Sequence, residues 1–177
     1  NVALALQVDA ISQGLANASF LAIPIFIIAS NSSPEFLVLE IIGLVVWLLA
    51  FAMETVADLQ KITFLQQMKK AGKQRQVCNV GLWRYCRHPN YFAEWMVWNG
   101  LTIAAIPSWL ALQDAENTII WWLLGLSLLF TSRVMYSTLV YVTGAVPSEY
   151  FSAQKRPAYK DYQQTTNRFF PGPHRKL

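Results

Sequence analysis

The residues able to do chemistry gather in three places. Glu54 and Asp58 stand four apart, which puts them on one face of any helix that carries them. Arg87, His88, Asn90, Tyr91 and Glu94 follow within one short segment, and Arg156, Tyr159 and Tyr162 recur at intervals of three near the C-terminal end. Arg133 stands alone. The first two groups and Arg133 border or enter apolar stretches, where an ionisable side chain is costly and so marks a site. Their common chemistry is that of a polar pocket; the plainer alternative is a structural ion pair holding helices together. A metal centre is not indicated. Cys78 and Cys86 are too far apart for paired zinc ligation, no second ligand pair follows, and both are expected as free thiols.

The elements that must position these groups are set by where charge is missing. Of 177 residues 54% are hydrophobic and only 14% charged, in place of the roughly 25% of a soluble domain. None of the fourteen Lys and Arg precedes Lys61; seven fall between Lys61 and Arg87, and six between Lys155 and Lys176. Between these blocks lie apolar stretches at roughly 14–29 (interrupted by Pro24), 36–57, 91–106 and 118–142. Each is read as a transmembrane helix, because hydrocarbon leaves an open backbone no other partner. The expected fold is therefore all-α, one membrane domain over 1–177 with about four spans. A basic loop over 61–87 and an amphipathic tail over 147–177 complete it.

Charge asymmetry supports that division. Two crossings separate the basic blocks, so both face one side, while the opposite loops, 30–35 and 107–117, carry three acids and no Lys or Arg. The basic side is expected to be cytosol or matrix. Glu54, Asp58, Arg87, Glu94 and Arg133 all lie toward it. A soluble bundle would need a polar outer stripe, which these stretches lack. The chain starts at Asn1 without a visible signal peptide, and the expectation is that an upstream segment precedes it.

Lys69, Lys70, Lys73 and Arg75 admit two readings: attraction to anionic membrane lipid, or capture of a polyanionic cofactor from the basic side. The Gly are scattered singly, so neither a Rossmann fingerprint nor a P-loop is present. Any dinucleotide must be held by helix-borne side chains. Nucleic acid is not an expected partner, because the basic residues cluster at membrane-facing ends.

Three motifs carry a resemblance. The run Gly81-Leu-Trp-Arg-Tyr-Cys-Arg-His-Pro-Asn-Tyr-Phe-Ala-Glu94 resembles the G-x-W-x-x-S-R-H-P-N-Y-F-G-E signature of the steroid 5-alpha-reductase C-terminal-domain family. Upstream, Ala57-Asp58-Leu-Gln60-Lys61-Ile-Thr-Phe64 is similar to that family's A-D-x-Q-K-x-x-F. Downstream, Lys155 to Pro171 is similar to its K-R-P-x-Y-x-x-Y-x-x-x-T-x-x-F-x-P tail. The resemblance implies a membrane enzyme that uses NADPH to reduce a conjugated carbon–carbon double bond of a steroid or lipid. It implies cofactor contacts at Asp58, Arg87, His88, Asn90 and Glu94. Arg156, Tyr159 and Tyr162 would close over the cofactor. Tyr91 and Glu94 are the implied catalytic pair, with Tyr91 the neutral proton donor. Endoplasmic reticulum or another organelle's inner membrane is the expected location.

Two positions depart from the pattern: Cys86 replaces Ser, and Ala93 replaces Gly. Two other function classes therefore stay open. One is a non-catalytic subunit of a larger membrane complex that keeps the fold and binds no cofactor. The other is a methyltransferase of the isoprenylcysteine carboxyl type, which has an R-H-P-x-Y motif and binds S-adenosylmethionine. The Asn90-Tyr91-Phe92 run and the 57–61 motif favour the reductase.

Overall fold

A computed structural model describes residues 7, 8, 11, 14, 22–31, 37–73 and 75–175. These form α1 (Ile23–Ala29), α2 (Val38–Lys70), a 3-10 turn (Gly81–Arg84), α3 (Pro89–Ala111), α4 (Thr118–Ser137), a π-helical stretch (Thr138–Val142), α5 (Ala145–Lys155) and α6 (Tyr159–Thr165). No strand occurs among the described residues, only an isolated bridge between Cys86 and Asn167. The all-helical expectation holds.

Two helices are long and apolar enough to cross a membrane: α2, and the continuous run Thr118–Lys155. Their apolar side chains point outward, with Leu49 67% and Leu129 70% exposed. A water-soluble core helix would bury them. Of the other two expected spans, the stretch at 14–29 lies partly outside the described residues, which support only α1 there. The stretch at 91–106 forms α3, whose polar Asn90, Glu94 and Asn99 dilute its apolar character.

The chain divides into two units. In the first, Asn1–Trp47 with Trp98–Val134, α2 and α3 approach at glycines. A Cβ on Gly43 would lie 2.6 Å from Gly100 O, and one on Gly100 would lie 2.7 Å from Trp47 N. Small residues there let the two backbones approach closely. Asn117 caps α4 by accepting from Ile119 N–H at 2.9 Å. Just inside that cap Trp109 and Trp121 stack at 4.6 Å, and each indole N–H donates to the other's carbonyl. Ile27, Ala105 and Leu128 form the buried core.

The second unit, Leu48–Val97 with Met135–Leu177, holds nearly all of the chemistry-bearing residues. Its aromatic core joins Phe92 and Trp95 of α3 to Tyr136 of α4 and Phe169 of the tail, ring centres 5.2–6.1 Å apart. At Gly144 the helix after the π-helical stretch bends, and a Cβ there would collide with the Leu139 carbonyl. The bend starts α5 and so sets the direction of Glu149.

Candidate functional site

The three sequence motifs meet within the second unit. The Trp83 indole N–H donates to Ala57 O at 2.8 Å, and Leu82 N–H donates to the Gln60 side-chain oxygen at 2.9 Å. The Lys61 ammonium sits 4.3 Å from the Trp83 ring centre, a cation–π contact. These bonds fasten the loop after α2 back onto α2. The tail is fastened in turn: the Tyr162 hydroxyl donates to Trp83 O, Arg87 N–H donates to Asn167 O at 2.8 Å, and Gly172 N–H donates to Tyr85 O at 3.1 Å.

Arg87 is the hub of that fastening. Its Nε and Nη2 bind the two carboxylate oxygens of Glu149 at 2.7 and 3.0 Å, and its Nη1 donates to Gln163 O at 2.8 Å and to Thr166 O at 2.5 Å. Both side chains are almost fully buried. His88 Nε2 lies 3.1 Å from the same carboxylate, and Gln163 and Arg168 bind it at 3.1 and 3.3 Å. Burial holds the His88 pKa below its usual value against the opposing pull of Glu149, so at neutral pH the ring is uncharged and donates from Nε2. Arg87, expected as a cofactor contact, is thus committed to Glu149 and to tail carbonyls.

Tyr159 and Tyr162, expected as a lid, are buried side chains of α6 whose hydroxyl pKa values are pushed up by burial. Cys86 is fully buried, and its thiol donates to Phe169 O at 2.9 Å. Burial raises its pKa to about 11, so it is inert as a nucleophile. A Ser hydroxyl could make the same bond, which accounts for the exchange at this position. Ala93 is fully buried too.

The remaining candidates form a second group. Glu54 interacts electrostatically with Glu94 and Asp58, and Tyr91 with Glu94 and Asp58. The Tyr91 ring stacks parallel on His88, centres 5.2 Å apart. Asn90 Oδ1 is buried and has no hydrogen-bond partner among the described residues. An orphaned buried acceptor is rare enough in folded proteins to point to a missing donor. Asp58 is exposed at the rim. Arg156, at the end of α5, interacts electrostatically with Lys61. Arg133 belongs to the other unit, on the rim of an apolar groove. No cluster of three potential metal ligands occurs among the described residues.

Sequence reasoning missed Glu149. It is the sole acid between Glu116 and Asp161, and a buried Arg87 demands a counter-ion; those two facts together could have found it. A family model described as protein of unknown function (DUF1295) matches residues 4–166. The chain belongs to that family. It is a steroid 5-alpha-reductase-like family, and the match spans all of the first two motifs and most of the third. No curated protein and no solved structure matches the chain.

Proposed function

We propose that this family member is an integral membrane reductase that binds NADPH and reduces a conjugated carbon–carbon double bond of a steroid or lipid. The single observation that carries the reading is Asn90 Oδ1, buried without a partner among the described residues beside the stacked His88–Tyr91 pair. A lone acceptor at that place fits the N–H donors of a carboxamide, and Glu94, one turn on, fits ribose hydroxyls. NADPH, when bound, supplies the hydride. Tyr91 holds the proton that the acceptor takes up, and its stack on His88 fixes the ring's direction. Arg87 and His88 act as positioning residues: through Glu149 they hold the tail in place. In this reading Asp58 and Arg156 would contact the cofactor from the basic side.

In this reading α1 and α3 cross the membrane with the two longer apolar helices, giving four spans. The basic loop and the tail then face the cytosol or matrix, in the endoplasmic reticulum or an organelle inner membrane. The test is Asn90→Ala and Glu94→Gln in detergent-purified protein. Both should lose NADPH binding while melting as the wild type does; unchanged affinity in both removes the assignment.

A second reading is favoured by one specific observation. Arg87, Cys86 and Tyr162 spend their polar groups on internal bonds, as motif residues would in a chain that keeps the fold as a scaffold. A non-catalytic subunit of a membrane complex would bind neither NADPH nor S-adenosylmethionine.

A further inference from the structure

Beyond α4 the chain keeps large apolar side chains in the open. Thr118–Ser137 is 20 residues long, or about 30 Å at the helical rise, which is the thickness of a bilayer's hydrocarbon core. In the four-span reading, residues from Thr138 onward therefore stand at the basic-side surface. There Tyr141, Val142, Tyr150 and Phe151 are all more than half exposed, and the Tyr150 and Phe151 rings pack edge to face at 5.5 Å. Along α5 the helical spacing sets Val146, Tyr150 and Phe151 on the arc away from Ala145 and Glu149, which are buried. A helix that left the surface here would carry these aromatics into water, whereas one lying along it buries them at the headgroup boundary. Gly144 permits the change of direction, since a Cβ there would meet the Leu139 carbonyl.

The groove beside that face has the same two-sided chemistry. About 500 Å³ in volume, it takes Val146, Tyr150 and Ala153 from α5, Lys160 from α6 and Arg168 from the tail, together with the buried Glu149. Glu149 is the sole acid among the lining residues, and the buried Arg87 already answers its charge. Lys160 has no ion pair among the described residues, and the half-exposed Arg168 meets Glu149 only at 3.3 Å. The groove thus sets an excess of positive charge next to apolar side chains. A soluble phosphate would use the cations and leave the apolar side wet. An anionic amphiphile satisfies both, and the cytoplasmic leaflet that basic segments face is rich in such lipids. We propose that this groove seats the headgroup of an anionic phospholipid at the membrane surface, with Lys160 and Arg168 on its phosphate and Val146 and Tyr150 against its glycerol and upper acyl chain. The site needs the membrane and not the cofactor, so it goes beyond the reductase reading and is independent of it.

The test uses the full chain in phosphatidylcholine nanodiscs carrying increasing phosphatidylglycerol, read by amide hydrogen exchange. Phosphatidylglycerol should slow exchange in peptides over 145–165. Lys160→Glu should raise the amount needed for half-protection by at least about five-fold, and Lys160→Gln with Arg168→Gln by more, at roughly five-fold per cation lost. Lys160 makes no side-chain hydrogen bond or ion pair among the described residues, so the single variant should melt as the wild type does. It carries the test even if the double variant unfolds. Exchange unmoved by phosphatidylglycerol, protection confined to peptides over 61–80, or equal half-protection in Lys160→Glu and wild type overturns the proposal. Glycerol 1-phosphate in neutral discs separates the sources: equal protection by it assigns the groove to a soluble phosphate and overturns the lipid. Protection in neutral discs that grows with protein concentration assigns the face to a second copy and overturns it too. NADPH titration in the same discs reports the reductase separately, so either result can fail while the other holds.

Discussion

Glu149→Gln should be among the most damaging single substitutions in the chain. It keeps the shape and one acceptor oxygen but removes the charge that faces the Arg87 guanidinium, itself only 6% exposed. Two of the five contacts to this carboxylate come from Arg87 and one from His88; all three groups are desolvated. Arg168 adds little, because its side chain is 46% exposed and its attraction is screened by water. Leaving a buried charge unpaired costs about 3–5 kcal/mol, a large share of the roughly 5–15 kcal/mol by which proteins are stable. For a chain of this size that corresponds to a fall in Tm of roughly 6–20 °C. The assay is a thermal melt in detergent, run as a double-mutant cycle with Arg87→Met. The single variants should couple by more than about 0.5 kcal/mol, since they share one network. Additivity within that margin, or a melt for Glu149→Gln within 2 °C of wild type, would refute the hub role of this pair.

Other consequences are quicker to check. Cys78 should react with a maleimide at neutral pH before Cys86, which is fully buried with its pKa near 11; equal labelling by mass spectrometry would contradict the geometry. Cys86→Ser should melt within about 1 kcal/mol of wild type because it keeps the bond to Phe169 O, whereas Cys86→Val should lose about that much or more. Gly100→Leu should destabilise by about 1–3 kcal/mol or more through overpacking against Trp47 and Gly43, and a neutral result in the melt would deny the close helix crossing. Because the folded His88 pKa lies below the unfolded value near 6.5, the unfolded chain binds more protons in between. Stability from this group is therefore present above pH 6.5 and is lost as pH falls toward the folded pKa. His88→Gln should flatten that part of the melting profile, and an unchanged slope would remove the assignment.

The fold was legible where one physical rule dominates. Exclusion of charge from hydrocarbon marked 36–57 and 118–142, and both are long apolar helices. The stretch at 91–106 was harder, because α3 carries Asn90, Glu94 and Asn99 among its apolar residues and is not among the helices long and apolar enough to cross a membrane. The candidate site was legible as a set of residues but not as a division of labour. Sequence placed Arg87, Asn90 and Tyr162 in one class. The structure separates them: Arg87 and Tyr162 tie loop to tail, and of the three Asn90 keeps an acceptor with no partner among the described residues. That difference depends on Glu149, which lies 62 residues from Arg87 in the chain, so no local spacing announces it. The basic residues after Lys61 showed a similar gap. Their charge was plain, but the convergence of Arg156 on them is tertiary.

The most direct test of the reductase reading is titration of the detergent-purified chain with NADPH, followed by nicotinamide fluorescence, with S-adenosylmethionine as competitor. The account predicts saturable NADPH binding that S-adenosylmethionine does not displace and that Asn90→Ala abolishes. Binding of S-adenosylmethionine alone, or of neither nucleotide by a folded chain, would contradict it.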